Sequence, residues 1–305
     1  MIYTWLRPGA VGDILMIMNL VKNFVFTYGP EELNFKCHPD IAPVVYSVLK
    51  EMGFKNILDS SHVGHFGQQI NLVGYPLKEG YPNKPMRKHL IEFFADELKV
   101  EPDFDSFILN GRSRLKDLPE KYISIHPQAG WSPYKNWPME NWNMVVWQLM
   151  RQKIPVYQIG GHNDKKLPNC AGRIMVSKST PRQEANELFN TCLNVLGHAK
   201  VHLGVDSWTN HATNIQWAGR GRTKGVILWG STQVSASGYK HNVNISKGLP
   251  CQPCFREDPK ISSMPRAKCP CPKDQTYEDP KHDCMKQITV KEVLDAALQA
   301  WEENL

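Results

Sequence analysis

Residues 122–142 read YISIHPQAGWSPYKNWPMENW, and this stretch decides the architecture. Residues 122–125 alternate as a short buried strand does. Pro127, Gly130 and Pro133 then break the chain, and Pro138 suits the first turn of a helix. A strand that empties through a loop onto a helix start leaves backbone N–H groups pointing outward, and a loop cation such as Lys135 can join them in holding an anion. The same pattern also fits a plain βα connection with a solvated lysine. What favours the anion site is a second junction of the same kind further along the chain.

Toward the N-terminus, residues 2–6 form a strand that empties into Arg7-Pro8-Gly9-Ala10-Val11-Gly12-Asp13, after which the apolar spacing predicts one largely buried helix over 14–26. Strands over 34–37, 56–58 and 69–73 and helices over 41–52 and 86–98 follow, the first of these helices ended by Gly53. Residues 102–119 are polar, show no period and read as a linker. Beyond residue 122 the spacing predicts helices over 138–152, 181–192, 207–217 and 290–302, with strands over 154–159, 173–176, 200–205 and 225–229. Strands alternating with helices imply parallel sheets in an α/β fold. The expected organisation is two Rossmann-like units over 1–118 and 119–248, a Cys-rich element over 249–286 and a closing helix over 287–305. The ligand site is expected in the cleft between the two units.

The chain has 305 residues, enough for two such units, and a net charge of +6. A modestly basic protein suits anionic ligands such as nucleotide phosphates, phosphorylated glycolipid or nucleic acid, and equally suits a solvated surface rich in lysine. No apolar run is long enough to cross a bilayer, and the N-terminus lacks the pattern of a signal peptide, so a cytoplasmic protein without a transmembrane segment is expected. An oligomer is open to it.

The second junction is GVDSWTNHATNIQW, where the strand over 200–205 ends at Asp206. Asp206 or Ser207 can cap the helix that follows, and His211 shares a helix face with Ser207 by i, i+4 spacing. Both junctions, at Lys135 and at Asp206, should lie at the carboxyl edge of one sheet, where doubly wound folds take nucleotides. A simple cap at Asp206 and a packed histidine at 211 fit as well. Asp13 follows Gly12 at the start of the first helix, so its carboxylate should face the cleft from the opposite side. It can cap that helix or serve as general base toward an acceptor hydroxyl, and a capping position fixes the direction such a base needs.

Taken together, these residues resemble the heptosyltransferase-like glycosyltransferases of family 9 over nearly the whole chain. Gly12-Asp13 resembles the family's opening motif, which implies Asp13 as catalytic base. HPQAGWSPYKNWPMENW is similar to the family's His-Pro loop ending in Lys-x-Trp-Pro, which implies that Lys135 meets the donor's phosphates with Gln128 or Ala129 beside them. VDSWTNHATNIQ resembles the segment that holds the sugar nucleotide, which implies donor binding by Asp206, Ser207, Trp208, Thr209 and His211 together with Gly12. The implied fold is GT-B, with 1–118 as the acceptor-side unit and 119–248 as the nucleotide-sugar unit. The implied reaction is inverting transfer of a heptose-like sugar, from an ADP-linked donor first of all, to a hydroxyl of a glycolipid core or protein. It needs no catalytic metal. The family's glycine after Asp-Ser is Trp208 here, and a large side chain denies the bare backbone approach that glycine allows.

Two other functions compete with this one. A hydroxylated DNA base is an alternative acceptor if Lys84, Arg87, Lys88, Arg112, Arg114 and Lys116 converge beside the cleft. A GT-B binding module without activity is the other, with Trp208 closing the donor site.

Of the eight cysteines, Cys37, Cys170 and Cys192 are scattered, whereas Cys251, Cys254, Cys269, Cys271 and Cys284 crowd together in a proline-rich stretch. In a chain without an export signal such a cluster points to metal before disulfides. Cys251, Cys254, Cys269 and Cys284 make a four-thiolate set for structural Zn or Fe, with Cys271 able to replace Cys269. Some members of the resembled family carry a similar C-terminal Cys-x-x-Cys followed by two later cysteines.

Overall fold

The computed structural model describes residues 1–60, 67–73, 88–111, 113–130, 132–176, 182–254 and 282–303. Two parallel sheets organise them. The first comprises β1 (Ile2–Leu6), β2 (Glu32–Cys37), β3 (Asn56–Asp59) and β4 (Gln68–Asn71) in the order β3-β2-β1-β4. The second comprises β6 (Ile123–His126), β7 (Val156–Gly161), β8 (Gly172–Val176), β9 (Val201–Val205), β11 (Lys224–Trp229) and β12 (Val243–Ser246) in the order β12-β11-β9-β6-β7-β8. A small parallel pair, β5 (Ile108–Leu109) with β10 (Gln216–Trp217), stands apart. The α/β class with parallel sheets is therefore the one the sequence implies.

In the second sheet the chain winds outward from β6 through β7 to β8, then returns to the other side of β6 for β9, β11 and β12. The reversal falls between β6 and β9, and in open α/β sheets ligands bind at the carboxyl ends beside such a reversal. In the first sheet the reversal falls between β1 and β4, so the end of β1 leads directly into the Arg7–Asp13 loop.

The helices depart from expectation in several places, and the one expected over 181–192 runs on to His198. The single helix expected over 14–26 is α1 (Val11–Met18) followed by α2 (Val21–Tyr28), bent by 49°. Asn19 sits at the bend, where its side-chain amide donates to Met16 O at 3.0 Å and competes with the backbone ladder. Among the described residues no single helix is long and apolar enough to cross a membrane, and α1 is buried from Ile14 to Met18. The helix expected over 86–98 is seen as α4 (Leu90–Leu98), following α3 (Ala42–Glu51); residues 86–87 lie outside the described ones. A capping box starts α4: His89 Nδ1 accepts from Ile91 N at 3.1 Å and Glu92 Oε2 accepts from His89 N at 2.7 Å. The helix expected over 207–217 is only α7 (Trp208–Ala212), after α5 (Met139–Arg151) and α6 (Arg182–His198). Beyond it the chain is drawn into β10, with Gln216 N donating to Phe107 O at 2.9 Å and Ala218 N to Leu109 O at 2.9 Å. The segment over 102–119 is thus partly ordered as β5. Two short helices, α8 (Val234–Ser237) and α9 (Asp283–Lys286), precede α10 (Val290–Glu303).

One buried apolar cluster runs from the first sheet into the second, joining Trp5, Ile14, Phe24 and Phe94 to Ile159, Phe189, Leu193 and Trp217. A second lies on the far side of the second sheet, where Trp137 and Trp142 meet edge to face at 4.8 Å and the Trp137 indole donates to Ile288 O at 3.0 Å. Polar ties cross between the sheets as well. Asn214, which is buried, donates to Asn19 Oδ1 at 3.1 Å and to Phe104 O at 2.8 Å, while Arg222 Nε donates to Asn214 O at 2.9 Å. Ser47 of α3 and Asn186 of α6 exchange hydrogen bonds at 3.1 and 2.8 Å.

Asn214→Ala removes the amide and leaves the buried Asn19 side-chain carbonyl and the partly buried Phe104 carbonyl without it. It should cost about 1–3 kcal/mol, the desolvation penalty of unsatisfied buried groups, read as a lower midpoint in denaturant with an unchanged slope.

Candidate active site

The carboxyl ends of β6 and β9 lie side by side, with His126 opposite Gly204 in the register. The loop after β6 closes into a 3-10 helix, Pro133–Lys135, whose start Ser132 caps by accepting from Tyr134 N at 3.3 Å. Ser231 N, beyond the end of β11, donates to Tyr134 O at 3.2 Å and fastens this loop to the neighbouring strand end. Lys135 Nζ consequently stands 2.7 Å from Asp206 Oδ2, and the Thr232 hydroxyl donates to the same oxygen at 2.6 Å. Burial of Asp206 works against its charge, but the Lys135 ammonium and these hydrogen bonds prevail and hold the carboxyl below its ordinary range. The two junctions form one site.

Beside this pair, His126 Nδ1 lies 2.9 Å from Ser207 Oγ and 3.4 Å from Thr209 Oγ1, and the two hydroxyls are 3.0 Å apart. His126 Nε2 is 3.2 Å from Asp164 Oδ2, an oxygen that also accepts from Gly161 N at 2.8 Å. Gly160 has φ +152°, and a Cβ there would fall 2.2 Å from Asp164 Oδ2 and 2.7 Å from His126 Cδ2. Only glycine lets carboxylate and ring meet at this strand end.

The first sheet contributes from the facing side. Asp13, in the first turn of α1, pairs with the Arg7 guanidinium. α1 approaches α7 so closely that a Cβ on Gly12 would lie 2.7 Å from His211 Cδ2 and 3.4 Å from Trp208 Cα. His211 Nδ1 is 3.0 Å from the Tyr239 hydroxyl. Burial pushes His211 down to about 4, with Lys135 adding to the shift and Asp206 and Asp13 opposing it, so the imidazole is neutral at pH 7. His89 packs on the same tyrosine ring at 5.6 Å and is also held at about 4, chiefly by burial.

Asp13, Gly12, Lys135, Asp206, Ser207, Trp208, Thr209 and His211 thus gather around one cleft. Their detail differs from expectation. Ser207 occupies the N-cap position of α7 without making a side-chain cap, because its hydroxyl is at His126. The Gln128 carbonyl oxygen accepts from Lys165 N at 2.5 Å, and Ala129 N donates to Asn136 Oδ1 at 2.7 Å. These bonds secure the loop itself. The Trp208 ring packs between His126, at 5.7 Å, and Phe189, at 5.1 Å. Arg7, His126, Asp164 and Tyr239 were not singled out by sequence, although His126 stands in the His-Pro motif and Asp164 closely follows Gly160-Gly161.

Of the cations that would mark a nucleic-acid face, Lys88 pairs with Asp96 and lies 5.1 Å from the Phe93 ring. Lys84, Arg87 and Arg112 lie outside the described residues.

Cys254 and Cys284 are buried and Cys251 partly so. Their neighbours meet at one place: Gln252 Nε2 donates to Gly230 O at 2.7 Å, and Met285 lies against Gly230. The knuckle and Cys284 therefore flank the end of β11. Among the described residues no group of three His, Cys, Asp or Glu side chains is placed to hold a metal ion. Cys269 and Cys271 lie outside them.

Comparison with known proteins agrees with this geometry. The family model "Glycosyltransferase family 9 (heptosyltransferase)" matches residues 71–264. No curated protein sequence matches the chain significantly. The fold is similar to that of the iron-containing dodecameric glycosyltransferase TibC from enterotoxigenic E. coli H10407, at TM-score 0.68 and 16% identity over 100% of this chain and 77% of that one. It is similar to E. coli ADP-heptose lps heptosyltransferase II at TM-score 0.63 and 13% identity, over 99% of each chain. A family 9 glycosyl transferase from Veillonella parvula DSM 2008 matches at TM-score 0.64 and 12% identity, over 99% of this chain and 97% of that one. With two parallel sheets facing a cleft and the family's motifs at its edges, the chain belongs to glycosyltransferase family 9 and is a glycosyltransferase.

Proposed function

We propose that the chain moves a heptose-like sugar, with inversion, from an ADP-linked donor to a hydroxyl of a glycolipid core or a protein. Residues 119–248 hold the donor and residues 1–118 present the acceptor. The observation that carries this is the meeting of the two halves at His211: the ring lies where a Cβ on Gly12, the neighbour of Asp13, would come within 2.7 Å of it, and its helix follows directly on the Lys135–Asp206 pair. Support for the donor comes from structures of similar fold: TibC is known in complex with ADP-D-beta-D-heptose, and E. coli WaaC with ADP-2-deoxy-2-fluoro heptose.

In this mechanism the Asp13 carboxylate, aimed by Arg7, takes the proton of the acceptor hydroxyl as its oxygen attacks the anomeric carbon. The bond from that carbon to the donor's phosphate oxygen breaks as the new one forms. Negative charge then grows on the departing diphosphate beside Lys135, whose ammonium Asp206 fixes in place. Neutral His211 contributes a polar edge without adding charge. Trp208, packed on His126 and Phe189, forms the wall beside Ser207.

The cysteine element is assigned a structural Zn or Fe on Cys251, Cys254, Cys284 and either Cys269 or Cys271. The support is the convergence of the first three toward the end of β11 and the iron reported for TibC. Such an ion cross-links a proline-rich segment that has few apolar residues with which to pack.

Asp13→Asn should abolish sugar transfer while ADP still raises the melting temperature as in the wild type. Retained transfer would remove Asp13 from the role of base, and no thermal shift with ADP in the wild type would remove the donor assignment. Lys135→Met leaves Asp206 buried without its cation, which should destabilise the fold by about 3–5 kcal/mol and weaken ADP binding. Because Asp206 is held below its ordinary range, its contribution to stability is complete above the unfolded value of about 3.9 and vanishes as pH falls through the lower folded value. In Lys135→Met burial is unopposed by the lysine, so acid unfolding monitored by circular dichroism should begin at higher pH. For the metal, elemental analysis should find bound Zn or Fe in the wild type and none after Cys251→Ser; full occupancy in the variant would refute the ligand set.

A further inference from the structure

The His126–Asp164 contact has no part in the mechanism above, yet it is closely constrained. Asp164 is pinned from three directions: its carboxylate accepts from Gly161 N at 2.8 Å, its carbonyl accepts from Arg173 Nη2 at 2.6 Å, and the next residue's amide donates to Gln128 at 2.5 Å. Gly160 has the backbone conformation and the missing Cβ that allow this carboxylate to reach the ring. A loop so tied places the charge deliberately.

Its consequence follows from counting hydrogens. An ionised carboxylate only accepts, so His126 Nε2, 3.2 Å from Asp164 Oδ2, carries a hydrogen. In the neutral ring Nδ1 is then a lone pair, and the Ser207 hydroxyl 2.9 Å away points its hydrogen inward to it. With Thr209 bonded to Ser207 at 3.0 Å, the Ser207 oxygen turns lone pairs toward the cleft, which is unfavourable beside an anionic phosphate. If the ring holds a second proton, Nδ1–H donates to Ser207 and the Ser207 hydrogen is released outward, where it can donate to a phosphate oxygen. The other groups facing the ring do not compete. His202 behind it on β9 is fully buried and held well below its ordinary range, hence neutral, and Trp208 packs tilted against the ring at 5.7 Å without a charge.

We propose that Asp164 is a positioning residue of the transfer reaction: it fixes the His126 tautomer and acts as counter-ion when His126 takes a proton from solvent as the donor's diphosphate arrives, turning the Ser207 hydroxyl from acceptor to donor. Asp164 touches no substrate and works through His126. This rests on the assignment of the Ser207–Thr209 edge to the diphosphate.

The test is calorimetric titration of the full chain with ADP at one pH in two buffers of very different ionisation enthalpy, such as PIPES and Tris. The wild type should show buffer-dependent heat corresponding to proton uptake. Asp164→Asn retains an acceptor for Gly161 N, so the loop keeps its shape. It should lose the uptake and bind ADP roughly ten-fold more weakly, and Asp164→Glu should restore part of both. His126→Gln, a second variant without the titrating ring, should also bind without uptake. A merely structural Asp164 would alter affinity and leave the buffer dependence intact, and uptake that persists in Asp164→Asn overturns the proposal. Wild-type binding of ADP without any buffer dependence also overturns it and leaves the donor site standing, whereas the absence of ADP binding refutes the donor site and the proposal with it.

Discussion

The site depends on keeping one carboxylate charged in a place that disfavours charge. Asp206 is buried at the end of a central parallel strand, where its ionised form would be very costly alone. The Lys135 ammonium at 2.7 Å and the Thr232 hydroxyl at 2.6 Å reverse that penalty. Each partner comes from a different strand end, β6 for Lys135, β9 for Asp206 and β11 for Thr232, so the pair exists only when the parallel register is correct. Tyr134 O, held by Ser231 N, links the same strand ends through the backbone. Fold and cation are therefore specified together, and the lysine is held in one direction by its carboxylate.

A second constraint is how closely the two sheets approach. α1 comes against α7 because Gly12 has no side chain to keep it away from the His211 ring and the Trp208 backbone. The small residue that the family has after its Asp-Ser is absent at 208, and here it is the opposing glycine that permits the close approach. Asn214 and Asn19 then lock the approach with a buried hydrogen bond at 3.1 Å. The distance from Asp13 to the Lys135–Asp206 pair is thus fixed by packing in the same cluster that supplies the core.

This division explains what could be read from the residues in order. The parallel α/β class, the two junctions and their meeting at one sheet edge follow from local pattern, because alternation, breakers and helix periods are properties of neighbouring residues. The bend at Asn19 does not show in the sequence because the apolar spacing continues straight across it, and a side chain there bonds to the backbone and to Asn214 in the loop after α7. β5 and β10 are each two residues long, too short for any period to show. Ser207 looked like a helix cap because caps are local, whereas its partner His126 lies 81 residues away. Asp164 and Tyr239 were invisible for the same reason, since their partners become neighbours only in the folded chain.

The histidines complete the electrostatics of the cleft. His89, His211 and His241 all pack around the Tyr239 ring, and burial, first among the causes in each, holds all three down to about 4. Each is neutral at pH 7, so three imidazoles at the meeting of the two sheets add no positive charge beside Lys135. The same fact adds to the acid sensitivity of the fold. Unfolding returns these rings to an ordinary value of about 6.5, so between there and about 4 the unfolded chain binds more protons than the folded one, and stability falls as pH drops through that window. His126 differs from all three, because a carboxylate stands at its Nε2 and two hydroxyls at its Nδ1, with Trp208 packed beside the ring. Of these four rings, it is the one that stands within 3.2 Å of a carboxylate oxygen.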